Sequence, residues 1–320
     1  MNQITTKIDQ LYLSEAAIFL SRYQPREIKS NKLGNKNTYS TYKRAIHQFY
    51  SWLVGSGISD ISKVKLQQLN MYQEDLLTSY KPKTTQVYLS VLSEFYAFMF
   101  NRKAISNNEF ANLKIISIDK RENKGITLTE TELTKLLKYV RSLDNSPSNT
   151  VNKLIMVILA NTGVRESELC NIKIGDMVYQ KDNLVINIKG KGMRKRFVVL
   201  SDKISHEVIQ LKELLENAVF RPLNNDDYLI QAISNNKPKK MYNPLDRSNI
   251  NRRLTNISKA VKIDFTPHSL RRSLATNLYK KGTPVEVISR VLGHENITTT
   301  QGYIASFIDK EVGVKYATSY

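Results

Sequence analysis

Hydrophobic residues in the first third of the chain recur at the spacing of helices. The clearest segment runs from Thr38 to Val54, and its apolar residues fall at intervals of three and four along one face: Tyr42, Ala45, Ile46, Phe49, Trp52 and Leu53. Similar patterns predict helices around residues 11–20, from Ser62 to Tyr80 and from Thr84 onward. This part of the chain is therefore predicted to be a small bundle of four helices.

A polar and charged stretch separates this bundle from the rest of the chain. It covers residues 116–125 and is typical of a linker between domains. We therefore expect one domain over residues 1–115 and a second over residues 126–320. The second domain opens with Thr129-Glu130-Thr131-Glu132, a capping box ahead of an apolar run, which predicts the start of a helix.

Two short runs in the second domain alternate apolar and polar residues, as strands with one buried face do. They cover Leu184 to Lys189 and Arg196 to Leu200, and Gly190-Lys191-Gly192 lies between them. A turn that contains glycine between two such runs predicts a β-hairpin. Helical patterns return from Thr150 to Asn161 and after Ile204. The fold is therefore predicted to be mainly α, with a small β-hairpin or sheet in the second domain.

The charge of the chain points to an anionic partner. The sequence has 48 lysines and arginines against 29 aspartates and glutamates, which gives a formal net charge of +19. Such an excess attracts polyanions, and nucleic acid is the most frequent of these. Ribosomes and anionic lipid surfaces are alternatives that the charge alone leaves open.

Composition also limits the location and the redox chemistry of the protein. The sequence has no run of about 18 apolar residues and no secretory signal at its start, so we expect a cytoplasmic protein without a membrane partner. Cys170 is the single cysteine, which excludes an internal disulfide bond and any metal site built from several thiolates.

Five short clusters in the second domain carry arginine, lysine, histidine or tyrosine. In chain order they are Gly163-Val164-Arg165-Glu166-Ser167-Glu168-Leu169, Gly190-Lys191-Gly192, His268-Ser269-Leu270-Arg271-Arg272, Leu292-Gly293-His294 and, nine positions further on, Tyr303. Each has an ordinary structural interpretation. Gly163 can end a helix, and Arg165 with Glu168 can form a local ion pair. His268, which follows Pro267, can cap a helix, and Arg271 and Arg272 can be surface charge.

Together, in this order and spacing, the clusters resemble the tyrosine recombinase (phage integrase) family. Its pattern is an arginine in a Gly-x-Arg-x-x-Glu-Leu segment, a lysine in a β-hairpin, then His-x-x-Arg, Leu-Gly-His and a tyrosine about nine residues later. The matching residues are Arg165 with Glu168, Lys191, His268 with Arg271, His294 and Tyr303. Arg272 and Leu274 stand where the family often has His and Phe, and neither position is catalytic.

The resemblance extends over essentially the whole chain, because the N-terminal bundle is similar to the family's SAM-like core-binding domain. It implies a compact, Xer-like recombinase whose two domains form a C-shaped clamp around DNA. It also implies strand cleavage through a 3′-phosphotyrosyl intermediate, with release of a 5′-hydroxyl and without a metal or ATP. The biological task is then integration or excision of a mobile element, or resolution of chromosome dimers.

The residue types suit this reaction. An attacked phosphodiester gains negative charge, and two guanidinium groups, here Arg165 and Arg271, bind such charge in a planar, bidentate manner. Tyr303 offers a phenol oxygen as nucleophile.

The remaining roles follow from the resemblance. Lys191 is the general acid for the departing 5′ oxygen, and His268 assists proton transfer at the tyrosine. His294 donates a hydrogen bond to the scissile phosphate. Glu168 orients its neighbours without touching the substrate.

Basic residues at helix starts and beside the hairpin are predicted to contact double-stranded DNA: Lys43, Arg44, Lys81, Lys83, Arg194, Lys195 and Arg272. The resemblance also implies a homotetramer on two duplexes. In it, the tail after Tyr303 packs on a neighbouring protomer; the alternative is a tail that folds back on its own domain. A second recombinase or an accessory protein is a further partner that the sequence leaves open.

Two other functions compete with recombination. One is a DNA-binding relative without catalysis, against which the intact set of matching residues argues. The other is a type IB topoisomerase, which shares the chemistry and relaxes supercoils without strand exchange. Relaxation of a plasmid that has no recombination site would distinguish the topoisomerase from the recombinase.

The role of Lys191 leads to a testable prediction. We expect Lys191→Ala to cleave DNA slowly when the departing atom is the normal 5′ oxygen, because that oxygen then leaves without a proton. Sulfur leaves more readily without protonation, so a substrate with a bridging 5′ sulfur should restore the cleavage rate. Slow cleavage of both substrates would contradict the assignment.

Overall fold

In the computed structural model, the described backbone covers residues 5–24, 26–28, 31–33, 36–58, 60–117, 125–190, 195–232 and 243–305. The chain divides into two compact units, residues 1–123 and 124–320. Within the described ranges, no helix has the length and apolar character needed to span a membrane. Each unit has its own hydrophobic core.

The first unit is a bundle of helices, as the apolar spacing predicts. Its elements are α1 (Thr5–Ser21), β1 (Arg26–Ile28), β2 (Asn31–Leu33), α2 (Lys36–Gly55), α3 (Leu66–Ser79) and α4 (Pro82–Asn101). Strands β1 and β2 pair in antiparallel fashion. Aromatic side chains fill much of the core: Phe19 packs on Phe95, and Phe49 packs on Tyr72 and Phe110.

The predicted start of the third helix at Ser62 is wrong. Residues Ile61–Lys63 form a 3-10 turn, in which the Asp60 carboxylate accepts a hydrogen bond from the backbone N–H of Ser62. The α-helix begins only at Leu66, where the side chain of Gln68 accepts a hydrogen bond from the backbone N–H of Lys65. Because the Gln68 side chain takes up the backbone N–H of Lys65, the 3-10 turn does not continue into the α-helix, which starts separately.

The second unit is mainly helical and carries one three-stranded sheet. Its helices are α5 (Glu130–Ser142), α6 (Pro147–Thr162), α7 (Glu166–Leu169), α8 (Asp202–Val219), α9 (Arg247–Val261), α10 (Pro267–Lys280) and α11 (Val285–Leu292). A further helical segment covers residues 297–305. The predicted capping box is confirmed, because the Thr129 hydroxyl and the Glu132 carboxylate each accept the other's backbone N–H.

The sheet contains the predicted hairpin and one additional strand. Strands β3 (Met177–Gln180), β4 (Asn183–Lys189) and β5 (Lys195–Val199) are antiparallel, in the order β3-β4-β5. Arg196 pairs with Ile188, and both positions lie on the side of the sheet that also holds buried Val198.

Helix α6 forms the centre of the second unit, because almost every residue from Val151 to Ala160 is buried. A helix that is apolar all round is stable only inside a core. Ser146 caps its first turn and Pro147 begins it, while Gly163 ends it with a φ of +60°. The end of α6 is therefore fixed, and Arg165 follows it after two residues.

We predict that Gly163→Ala destabilises the second unit more than Gly282→Ala does. Both glycines have a left-handed φ, which costs other residues about 1–2 kcal/mol. A Cβ at Gly282 would meet open space, whereas one at Gly163 would lie 2.7 Å from Leu292 Cδ2 and 2.9 Å from Leu274 Cδ2. Overpacking should cost Gly163→Ala a further 1–3 kcal/mol or so. Urea unfolding of the full chain measures both losses, and equal losses would contradict this account of the packing.

Candidate active site

Two helices of the second unit end side by side at glycine caps. Gly163 closes α6 and Gly293 closes α11, with φ values of +60° and +67°. The last carbonyl groups of a helix have no partner inside the helix and carry partial negative charge. The two ends thus present carbonyl oxygens to nearby donors.

Arg271 donates hydrogen bonds to carbonyl groups at both helix ends. Its side chain comes from α10 and is 2% exposed. One terminal nitrogen, Nη1, donates to the carbonyl of Gly163, and Nη2 donates to the carbonyl of Leu292 at 2.6 Å. Burial lowers the pKa of Arg271 to about 10, with the charge of Arg165 as the second cause, so the group stays cationic at neutral pH. The interpretation of Arg271 as surface charge is therefore wrong.

Arg165 lies beside the same helix ends. Its Nη1 donates to Glu168 Oε1 at 2.9 Å, and its Nη2 donates to the carbonyl of Gly293 at 2.9 Å. The Glu168 carboxylate also accepts the backbone N–H of Arg165, at 2.7 Å. The ordinary interpretation as a local ion pair is thus correct, and it positions the arginine at the same time.

A second arginine completes the contacts of Glu168. Arg196, on β5, donates from Nη1 to Oε1 at 2.8 Å and from Nη2 to Oε2 at 2.7 Å. Burial raises the pKa of the Glu168 carboxyl, but the hydrogen bonds from Arg196 and from the backbone of Arg165 outweigh it and hold the pKa below its ordinary value. Glu168 is therefore a buried carboxylate held between two guanidinium groups.

Tyr303 lies within the helical segment 297–305 and is 6% exposed. Its hydroxyl oxygen and Nε2 of His268 are 2.9 Å apart, a hydrogen-bond distance. The guanidinium of Arg272 lies 5.1 Å from the centre of the tyrosine ring and donates to the carbonyl of Gly125 at 3.1 Å. Arg272, which lies on α10 in the same cluster as His268, thus packs over the ring of Tyr303.

His268 occupies the second position of α10, and the interpretation that it caps this helix is wrong. The cap is Thr266, whose hydroxyl accepts the backbone N–H of Ser269. Burial lowers the pKa of His268, and the charges of Arg272, Arg271 and Arg165 lower it further. A neutral imidazole can accept a proton from the tyrosine hydroxyl.

His294 follows the glycine cap of α11. Its Nδ1 lies 2.7 Å from the hydroxyl of Thr300, and its ring is 5.0 Å from the ring of Tyr303. Burial lowers the pKa of His294 to about 3, and the charges of Arg271 and Arg165 act in the same direction. At neutral pH the ring is therefore uncharged.

Arg165, His268 and Arg271 line an open cleft of about 470 Å³. Its lining residues are Val164, Arg165, Glu166, Ser167, Arg247, Asn251, Thr266, Pro267, His268 and Arg271. Along one wall, Glu166 accepts hydrogen bonds from Asn251 at 2.5 Å and from Arg247 at 3.3 Å. The cleft thus presents cationic and amide donors, the groups that bind phosphate oxygens.

The structure gathers five of the six residues that the sequence nominates for catalysis: Arg165, His268, Arg271, His294 and Tyr303. The sixth, Lys191, lies outside the described residues, as do Arg194 and the tail after residue 305.

The other nominated DNA contacts lie in different places. In the first unit, Lys43 and Arg44 are exposed on α2, and Lys81 and Lys83 are exposed at the start of α4. Lys195 is exposed at the start of β5 in the second unit.

Sequence reasoning missed two residues of this site, Arg196 and Thr300. A charged residue at an inward position of an alternating strand requires a buried partner, and that signal was present at Arg196. Thr300 stands in a run of three threonines, and the sequence gives no reason to choose it over its neighbours.

Comparison with known proteins now assigns the family. The model of the phage integrase family matches residues 127–309, and that of the phage integrase N-terminal SAM-like domain matches residues 25–103. Because the first match alone covers more than half of the sequence, the chain belongs to the phage integrase family.

Relatives and solved structures agree with this assignment. Tyrosine recombinase XerA of Pyrococcus horikoshii is 27% identical over 84% of this chain and 83% of its own length. A tyrosine recombinase of Agathobacter rectalis is 26% identical over 91% and 93%. The structure of XerH site-specific recombinase bound to palindromic difH substrate matches with a TM-score of 0.79 at 18% identity, over 97% of this chain and 96% of that one. A lambda integrase dimer bound to a COC′ core site matches with 0.67 at 18% identity, over 95% and 81%. These two structures share the fold.

We predict that His294 stays neutral in the folded protein until the pH falls well below 5, because its pKa is lowered to about 3. The unfolded chain binds a proton at this histidine near pH 6.5, so the resulting loss of stability begins there and ends only near pH 3. Histidine NMR between pH 7.5 and 4.5 checks this, with His294→Asn identifying the resonance. A midpoint near pH 6 would contradict the described burial.

Proposed function

We propose that this tyrosine recombinase cuts and rejoins DNA strands at specific sites, with Tyr303 as the nucleophile. The observation that carries the proposal is the 2.9 Å distance between the Tyr303 hydroxyl and Nε2 of neutral His268, at the edge of a cleft lined by Arg165 and Arg271. Nucleophile, proton acceptor and phosphate-binding cations thus lie within one site.

In the cleavage step, the Tyr303 oxygen attacks the scissile phosphorus and its proton passes to His268 Nε2. A bond forms between the phenol oxygen and phosphorus while the bond from phosphorus to the 5′ oxygen breaks. The products are a 3′-phosphotyrosyl link and a free 5′-hydroxyl. Rejoining is the reverse reaction with the 5′-hydroxyl of another strand, and His268 then returns the proton to the tyrosine.

The attacked phosphate gains charge on its non-bridging oxygens, and the cleft supplies cations for it. Arg165 has its Nη1 and Nη2 fixed by Glu168 and Gly293, which orients its remaining N–H groups. Arg271 adds a buried positive charge whose strength is little screened by water. His294 is held by Thr300 and, through the nitrogen opposite that contact, would donate a hydrogen bond to the same phosphate.

The departing 5′ oxygen needs a proton, which we assign to Lys191. In the family motif this lysine stands in the hairpin that β4 and β5 form, and Arg196 of β5 is hydrogen-bonded to Glu168, the partner of Arg165. The assignment is supported by the motif, and the sulfur substitution described above tests it.

DNA is the partner that the charge and the family support. We propose that residues 1–115 bind the duplex through Lys43, Arg44, Lys81 and Lys83, that residues 116–125 link them to the catalytic domain at 126–320, and that Lys195 and Arg272 add contacts there. Solved relatives include a lambda integrase tetramer bound to a Holliday junction, which supports a homotetramer on DNA for this chain too. From this work on DNA we propose a cytoplasmic location.

We expect Tyr303→Phe to bind DNA normally and to form no covalent complex, because the variant lacks only the attacking oxygen. The test incubates protein with fragmented DNA of the source organism, denatures it in detergent, recovers the DNA joined to protein and sequences it. Tyr139→Phe is the matched control, since this tyrosine lies on α5 and packs against the core of the same unit. Tyr139→Phe should behave like the wild type.

The recovered reads also decide the biological task. A single chromosomal locus would support dimer resolution, and the ends of an element would support integration or excision. A covalent adduct that persists in Tyr303→Phe would remove Tyr303 as the nucleophile. Absence of any adduct from a wild-type protein that binds duplex DNA would contradict the proposed activity.

A further inference from the structure

Arg196 makes more contacts to the active site than a strand residue needs for its own packing. Its side chain is 14% exposed, and its two terminal nitrogens hold both oxygens of Glu168 at 2.8 and 2.7 Å. The third donor, Nε, reaches the carbonyl of Val291 at 3.3 Å, near the end of α11. One guanidinium thus joins the sheet, α7 and α11.

The guanidinium of Arg196 has space because residue 293 is a glycine and has no side chain. A Cβ at Gly293 would lie 2.8 Å from Arg196 Cδ and 3.0 Å from its Cζ. The carbonyl of the same glycine accepts Nη2 of Arg165 at 2.9 Å. Arg196 therefore packs against both groups that hold Arg165, Glu168 on one side and Gly293 on the other.

Arg196 also sets the charge balance of the cluster formed by Arg165, Glu168 and Arg196. Glu168 is 5% exposed and carries one negative charge, whereas Arg165 and Arg196 together carry two positive charges. Both arginines donate to the same oxygen, Oε1. With Arg196 present, the three side chains have a net charge of +1. Without it, Glu168 would neutralise Arg165, and the cleft would lose one unit of charge for the phosphate.

We propose that Arg196 is a positioning residue of the recombination reaction: it neutralises Glu168, so that Arg165 keeps both its orientation and its charge for the scissile phosphate. This inference rests on the proposed function. It assigns Arg196 a part in the chemical step and none in binding the duplex, because each of its three guanidinium nitrogens donates to a protein group.

The first test replaces the charge with an apolar chain of similar length, Arg196→Met. We expect the single-turnover cleavage rate at saturating DNA to fall on the order of 10- to 100-fold, since small losses of alignment have effects of that size. DNA affinity should change by less than about threefold, because contacts spread over many phosphates dominate it. The substrate is a suicide duplex that carries the site recovered by covalent capture.

A second variant separates charge from packing. Adding Glu168→Gln to Arg196→Met removes the carboxylate along with its balancing cation, and the amide oxygen can still accept from Arg165. We expect the double variant to cleave faster than Arg196→Met alone, and Arg196→Lys to keep part of the wild-type rate. A double variant that is no faster than Arg196→Met would overturn the proposal.

Arg221 and Asp227 offer a matched control in the same unit. This pair is also bidentate, at 2.7 and 2.8 Å, and its carboxylate is 8% exposed. Arg221→Met and its combination with Asp227→Asn should change thermal stability in the same way and leave the cleavage rate unchanged.

The outcomes distinguish this proposal from the proposed function. A wild-type chain that gives no Tyr303-dependent adduct would overturn the function and the proposal together. A wild-type chain that cleaves while folded Arg196→Met cleaves equally fast would overturn the role of Arg196 alone. If Arg196→Met does not fold, Arg196→Lys replaces it, and a wild-type rate combined with weaker DNA binding would overturn the proposal.

Discussion

The site depends on a buried cation, Arg271, that forms no direct ion pair with a carboxylate among the described residues. Arg271 bonds the carbonyl groups of Gly163 and Leu292, so two helix ends supply the negative charge that its burial requires. Each end closes with a left-handed glycine, which lets the chain turn away while its carbonyls stay directed at the guanidinium. In this chain the first and fourth motifs each contain such a glycine, and each supplies a helix end to the same arginine.

The charges around Arg271 explain the state of the histidines. Arg165, Arg196 and Arg272 lie nearby, and among the described residues Glu168 forms ion pairs with Arg165 and Arg196. Together with burial, the excess of cations keeps His268 and His294 neutral, which the proposed role of His268 as proton acceptor requires. The same excess makes the cleft attractive to a polyanion. Binding of the substrate and readiness for proton transfer thus have one electrostatic origin.

The sequence predicts helices whose apolar residues recur at regular spacing, and it predicts site residues that match a known family motif. The helices of both units follow from apolar spacing, and the five motif residues follow from the family pattern. Strand β3 is not predictable in this way, because it is four residues long and mostly exposed, so it lacks a clear alternation. The burial of Arg271 depends on helices α6 and α11, which are distant in the chain. Its environment is set by tertiary contacts that no local pattern encodes. At Arg196 the strand pattern indicates that a buried partner is needed, but it does not indicate which residue that partner is.

Arg271 holds two helix ends together and is also proposed to bind phosphate, and this combination has a consequence for how such chains evolve. A descendant that gave up strand exchange and kept only its hold on DNA would still need Arg271, Gly163 and Gly293, because α6, α10 and α11 meet through them. The hydroxyl of Tyr303, the proposed nucleophile, has no comparable duty, because among the described hydrogen bonds it contacts only His268. Natural selection for folding alone would therefore preserve the arginine and lose the phenol oxygen. Among distant members of the family, a tyrosine at the position of Tyr303 is therefore a better marker of catalytic activity than an arginine at the position of Arg271.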